Sequence, residues 1–251
     1  MIKQDDKLLV ARINDLFSLC DKYCCARFSD FLDGAEQAVI QDNVRFPYGY
    51  NTVLFGGFKE SEKKIMGVFP EWEEPDEGVF PIVCLKAEGG FTRKLTHRDY
   101  LGTIMSLGIT PQKLGDIVVY DGYAYIFLHS DVAGYTAENI RKIGNQGVKV
   151  SVIEDIGSIT VERRYKTISA VCASERLDAV VGAAINVSRS AASSLISAGK
   201  VKLNHRETEK QSETIREGDL ISVRGYGRYL VDKFGGTTRK GRLQIVLKQY
   251  I

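Results

Sequence analysis

Residues 175–204 read ERLDAVVGAAINVSRSAASSLISAGKVKLN. Leu177, Val180, Val181 and Ala184 recur at helical spacing, so 176–184 is expected to be a short helix with one apolar side. Ser188 suits the N-cap of a second helix, whose buried face is Ala192, Leu195 and Ile196. Gly199 stands where a left-handed residue ends a helix. Val201 and Leu203 then alternate with Lys200, Lys202 and Asn204, which is the period of a strand.

The chemistry lies in what this packing leaves outside. The second helix starts with unpaired backbone N–H groups, the hydroxyls of Ser188, Ser190 and Ser193, and the guanidinium of Arg189. A helix start favours an anion. Arg176, Lys200 and Lys202 add positive charge nearby, and a guanidinium suits bidentate contact with phosphate. On this segment alone, a phosphate-binding face and a merely solvated basic face are both open.

Four ordered blocks carry a resemblance: ERLD, SRSAASSLI, GKVKLN and REGDLISVRGYGRY. Over 174–235 the chain resembles the RNA-binding domain named after ribosomal protein S4. The resemblance implies RNA binding by the helical hairpin and the strand after it. The positions matching the RNA-facing motif are Arg176, Ser188, Arg189, Ser190, Lys200, Lys202 and Asn204. In such domains the residue at Asn204 usually belongs to a turn. Ser193, from the helix start, and Arg228, from the basic stretch downstream, complete the candidate set.

The chain has 251 residues, enough for two or three domains. Apolar residues make up 44% and charged residues 26%, which is ordinary for a soluble globular protein. The net charge of +2 is unevenly placed. Residues 172–251 hold 14 Lys and Arg against 8 Asp and Glu, and the rest holds 20 against 24. The C-terminal third is therefore the natural partner of a polyanion. The N-terminus lacks the apolar core of a signal peptide, and no run approaches the ~20 apolar residues of a membrane span. A cytoplasmic protein without membrane insertion is expected. The five cysteines form no Cys-x-x-Cys pair, so buried reduced thiols are expected rather than a metal site.

Residues 1–75 read as an N-terminal α+β segment. Leu8, Leu9, Ile13, Leu16, Cys20 and Cys24 share one helical side over 4–27. Asp33 suits the cap of a second helix, and strands are expected at 52–58 and 64–69. Residues 71–78, EWEEPDEG, read as an acidic linker.

From 79 to 156 the rhythm is strand, helix, strand, strand, helix, strand. Strands are expected at 81–87, 117–120, 123–128 and 148–153, and helices at 97–107 and 136–143. Asp121-Gly122 is a strong hairpin signal. This order is ferredoxin-like and is shared by RNA-recognition modules. Tyr123, Tyr125 and Phe127 fall on one strand face, where such modules place base-stacking rings. The aromatic-glycine signature of those modules is missing, and packing explains such a stripe more often. His97-Arg98-Asp99 lacks the downstream residues of a kinase site. Asp99 suits a helix start, and Arg98 can face RNA.

HRDYLGTIMSLGI and KLGDIVVYDGYAYIF, with the C-terminal blocks, resemble the YlmH family of bacterial RNA-binding proteins. That resemblance covers most of the chain. It implies ribosome quality control on stalled large subunits carrying peptidyl-tRNA, and an association with the bacterial cell-division gene cluster.

Residues 158–171 read as a strand-rich connector in which Arg163, Arg164 and Lys166 extend the basic surface. Arg239, Lys240 and Arg242 crowd a later loop. The motifs of a pseudouridine synthase, a methyltransferase and a tyrosyl-tRNA synthetase are missing, which favours a binder over an enzyme. The expected protein is α+β in three parts: an N-terminal segment, a ferredoxin-like middle domain and an S4-type domain over 174–251. It is expected to bind ribosomal RNA, tRNA and the large ribosomal subunit without cofactor or metal. The alternatives are a cell-division interaction factor with secondary RNA binding, and an RNA-modifying enzyme.

Overall fold

A computed structural model describes residues 4–162, 165–239 and 241–250. Arg163, Arg164 and Lys240, which the sequence suggests as basic surface, lie outside the described residues. Two compact units divide the chain after Glu162.

The first unit opens with α1 (Gln4–Tyr23), β1 (Arg27–Leu32), α2 (Gly34–Asn43), β2 (Tyr50–Phe55) and β3 (Lys64–Pro70). Leu9, Ile13 and Cys20 of the expected side are buried, joined by Phe17, whereas Leu8 is exposed and Cys24 lies beyond the helix end at φ +51°. Asp33 caps α2 in a capping box, accepting from the Ala35 and Glu36 N–H groups while Glu36 accepts from the Asp33 N–H. The strands pair in the order β1-β3-β2. Strand β1 escapes the sequence reading because RFSDFL interleaves polar and apolar residues without strict alternation.

The ferredoxin-like order follows as β4 (Ile82–Glu88), α3 (His97–Ser106), β5 (Leu114–Val119), β6 (Tyr123–His129), α4 (Ser130–Asn139), β7 (Lys142–Ile143), β8 (Gln146–Gly147) and β9 (Lys149–Ile153). The antiparallel sheet runs β5-β6-β4-β9, so the two central strands are the first and third of the motif. Asp99 sits in the first turn of α3. It accepts from the Thr96 N–H at 2.7 Å and from Arg93 at 2.7 Å. The Arg93 guanidinium, then the Thr96 N–H, hold its carboxyl well below the usual range. The His97-Arg98-Asp99 triplet thus starts a helix.

The second helix of the motif lies at Ser130–Asn139, not at 136–143. Asp131 at its start marks the true beginning. Ile140 and Ile143, whose spacing mimics a continuing helix, are buried core residues beyond it. Gly144 makes the left-handed turn between β7 and β8.

The N-terminal segment and the middle sheet share a core of Phe31, Ile65, Phe69 and Phe80 with Ile82, Cys84, Val118 and Phe127. Polar ties reinforce it. Buried Asp116 accepts from the Glu62 N–H at 2.6 Å, and Lys63 Nζ donates to the Pro111 and Leu114 carbonyls, both at 2.7 Å. The acidic stretch at 71–78 therefore links two parts of one compact body.

The second unit contains β10 (Tyr165–Cys172), α5 (Leu177–Ala184), α6 (Arg189–Ser197), β11 (Val201–Leu203), β12 (Arg206–Glu207), β13 (Leu220–Val223), β14 (Gly227–Thr237) and β15 (Leu243–Tyr250). The sheet order is β10-β15-β14-β13-β11-β12. The stretch read as a connector thus supplies β10, paired along its length with β15. Leu177, Val180, Val181 and Ile196 of the helices close one face of this sheet.

Cys20, Cys84 and Cys172 are buried, and Cys24 and Cys25 are exposed, against the expectation of buried thiols throughout. Burial pushes the Cys84 thiol up to about 12. Among the described residues no single helix is long and apolar enough to cross a membrane, and no group of three or more His, Cys, Asp or Glu side chains is placed to hold a metal ion.

Candidate RNA interface

Helices α5 and α6 meet at 111° across a four-residue turn. Such a turn needs close approach, which Gly182 permits. A Cβ there would stand 3.1 Å from the Val187 carbonyl oxygen. Ser188 caps α6, accepting from the Ala191 N–H at 3.2 Å, and its Oγ lies 3.0 Å from the Ser190 Oγ. At the far end, Gly199 takes φ +64°. Its N–H donates to Ile196 O and the Lys200 N–H to Leu195 O, both at 3.0 Å, which closes a Schellman turn and starts β11.

Asp178 holds the two helix starts together. It is the one charged residue in LDAVVGAA, and its side chain is only 4% exposed. Its carboxylate accepts from Arg176 Nε at 3.2 Å and Nη2 at 3.1 Å. It also accepts from Arg189 Nε at 3.0 Å and Nη2 at 2.9 Å. Burial pushes the Asp178 carboxyl up, but the Arg176 and Arg189 guanidiniums outweigh it and leave it below the usual range. The two arginine side chains remain 41% and 51% exposed. The result is a pair of oriented guanidiniums at the mouth of the hairpin, beside an exposed capped helix start.

The nine candidate residues divide into groups. Arg176, Ser188, Arg189, Ser190 and Ser193 lie on the helical hairpin, and Lys200 is exposed just after it. Lys202 and Arg228 lie in a row across the sheet, on the face away from the helices, because Lys202 pairs with Ser222 and Ser222 with Arg228. Lys202 Nζ is 3.9 Å from Glu207. Asn204 has a structural task. It takes φ +48° in the β11–β12 turn, donates through Nδ2 to Asp219 at 2.8 Å, and accepts from the Leu220 N–H at 2.9 Å.

Asp178 is the participant that sequence reading missed. Its signal was a lone carboxylate in an otherwise apolar helix, which a buried environment tolerates only when paired.

The aromatic stripe of the middle domain is divided. Phe127 is fully buried in the core shared with the N-terminal segment, its ring 4.9 Å from that of Phe58. Tyr123 and Tyr125 stay half-buried beside Tyr120, with Tyr120 and Tyr123 stacked at 4.8 Å. The face that RNA-recognition modules use for stacking is partly occupied here.

Two family matches agree with this architecture. Residues 82–156 match the "Putative RNA-binding domain in YlmH", and residues 175–221 match the S4 domain. The chain carries a YlmH-type RNA-binding domain followed by an S4 domain. The chain is 28% identical over 254 residues to the "Ribosome-associated protein quality control protein P2" of Bacillus subtilis (strain 168), covering 98% of this chain and 96% of that protein. Among solved structures, "Cell division protein ylmH from Streptococcus pneumoniae" matches with a TM-score of 0.52. It is 16% identical, covering 64% of this chain and 98% of that one, which establishes shared fold alone.

Proposed function

We infer that this chain is a non-catalytic RNA-binding protein of ribosome-associated quality control, acting in the cytoplasm on the large ribosomal subunit and its tRNA. The observation that carries this reading is the pair Arg176 and Arg189, oriented by buried Asp178 at the start of α6. A preset guanidinium pair beside the exposed, capped start of α6 is suited to the phosphates of a folded RNA backbone. The quality-control relative supports the choice of ribosome over free RNA. The uneven charge supports it too. The basic C-terminal third meets phosphate, while the net acidic remainder disfavours naked RNA that offers no compensating contacts.

The test is co-sedimentation of the full chain with purified large subunits, with and without bound tRNA, against excess free RNA. Retention on the subunit, with loss in Arg189→Glu, is the expected result. Equal displacement by any free RNA would remove the ribosomal assignment.

A further inference from the structure

The sheet of the second unit has a face that the helices do not cover. Val201, Ile221, Tyr229 and Leu247 turn toward α5 and α6. The pleat sends alternate residues to the opposite face. There Lys202 pairs with Ser222, and Ser222 with Arg228, across β11, β13 and β14. Tyr229 pairs with Gln249, which brings Tyr250 of β15 beside Arg228, and Tyr250 pairs with Tyr165 of β10. One row crosses five strands: cation, hydroxyl, cation, ring, ring.

The last three members touch. The Arg228 guanidinium carbon lies 4.6 Å from the Tyr250 ring centre. The Tyr250 and Tyr165 rings meet edge to face at 5.0 Å and 79°. One row over, Lys248 is matched by Asp232 in an ion pair at 2.6 Å.

We propose that this helix-free face is a second RNA contact, a stacking platform for unpaired nucleotides, built by the half-buried Arg228, Tyr250 and Tyr165 with Lys202 toward the backbone. This rests on reading the unit as an RNA binder and adds the class of RNA it takes. Planar groups interspersed with cations are the chemistry of single-strand binding, where each base finds a ring or guanidinium face and each phosphate a charge. The row has two rings and two cations, too polar for the apolar centre of a stable protein interface. The hairpin grips phosphate at α6; the row lies on the other face of the same sheet. An RNA with a helical stem and an unpaired segment can meet both.

The experiment uses the full chain and two probes of equal charge, a single-stranded oligouridine and a blunt RNA duplex, read by fluorescence anisotropy. Tyr250→Leu and Tyr165→Leu, each shown to fold by circular dichroism, are expected to weaken single-strand binding about tenfold and duplex binding less than twofold. Arg228→Lys keeps the charge and loses the plane, and is expected to follow the tyrosine variants. Arg189→Glu is expected to weaken both probes, which reports on the hairpin separately. In the unsubstituted chain, 4-thiouridine cross-links should map to β10 and β15. Cross-links confined to the hairpin, or tyrosine variants that change both probes equally or neither, would overturn the platform and leave the hairpin reading standing. Failure of the unsubstituted chain to bind either probe would end both readings.

Discussion

The hairpin of the second unit and the middle sheet of the first both present RNA-binding chemistry in the sequence, and the fold treats them oppositely. In the hairpin, the core takes the apolar side of α5 and α6 and leaves Arg176 and Arg189 half in solvent, anchored by one buried carboxylate. In the middle sheet, Phe127 is taken into the core with Phe31 and Ile65. A cation cannot be buried without a partner, whereas a ring gains by burial. The same candidate status at the sequence level therefore has different staying power for charged and aromatic residues.

The largest effect that sharpens this contrast is on stability. Phe127→Ala should destabilise the first unit by about 3–5 kcal/mol through the cavity it leaves, and should leave the RNA affinity of the folded fraction unchanged. Thermal melts with binding measured well below the transition will decide. A folded Phe127→Ala protein that has lost RNA affinity would break the contrast.

Next in size is Arg189→Glu, expected to weaken RNA binding by about 2 kcal/mol, because it removes a central guanidinium and faces Asp178 with a second carboxylate. Arg239→Glu, on an exposed turn, should cost only a few tenths of a kcal/mol. Filter binding with both proteins ranks them, and equal losses would show that position in the hairpin is irrelevant.

Asp178→Asn should cost about 1–2 kcal/mol of stability in the second unit, since the arginines it releases are solvated rather than stranded. The effect has a pH signature. The folded carboxyl lies below its unfolded value of about 3.9, so its contribution is complete above that pH and is lost as pH falls through the folded value. The gap between the two proteins in denaturant titrations should be constant from about pH 7 to 5 and close toward pH 3. A gap that widens with acid would contradict the clamp.

Ser188→Ala removes the α6 cap and should cost about 1 kcal/mol. The most graded measurement is the salt dependence. If Arg176, Arg189, Lys200 and Lys202 each neutralise one phosphate, the log–log slope is about −3 to −4. A flat titration would mean that this basic surface stays solvated.

Much of the fold was legible because the decisive elements are short and locally encoded. The caps at Asp33 and Ser188, the glycine ending α6 and the Asp121-Gly122 hairpin all act within a few residues. The misses have local causes too. Strand β1 lacks alternation, and α4 was displaced because Ile140 and Ile143 keep helical spacing while serving an extended core segment. At the candidate site, the hairpin residues were readable from type and spacing. The turn at Asn204 was expected from the resemblance; its hydrogen bonds to Asp219 and Leu220 were not legible, because those partners are distant in sequence.

By itself the sequence determined the two-helix hairpin, its basic exposed edge, the concentration of positive charge in the last third, and the ferredoxin-like order of the middle domain. These rest on periodicity, capping and counting, which need no knowledge of distant contacts. Only the tertiary structure decided that the N-terminal segment covers part of the middle sheet, that Asp178 joins Arg176 to Arg189, and that Lys202, Arg228, Tyr250 and Tyr165 share one row. Each of those is a pairing between residues far apart or on separate elements, set by register and packing, and a pattern along one strand or helix carries no record of what will lie across from it.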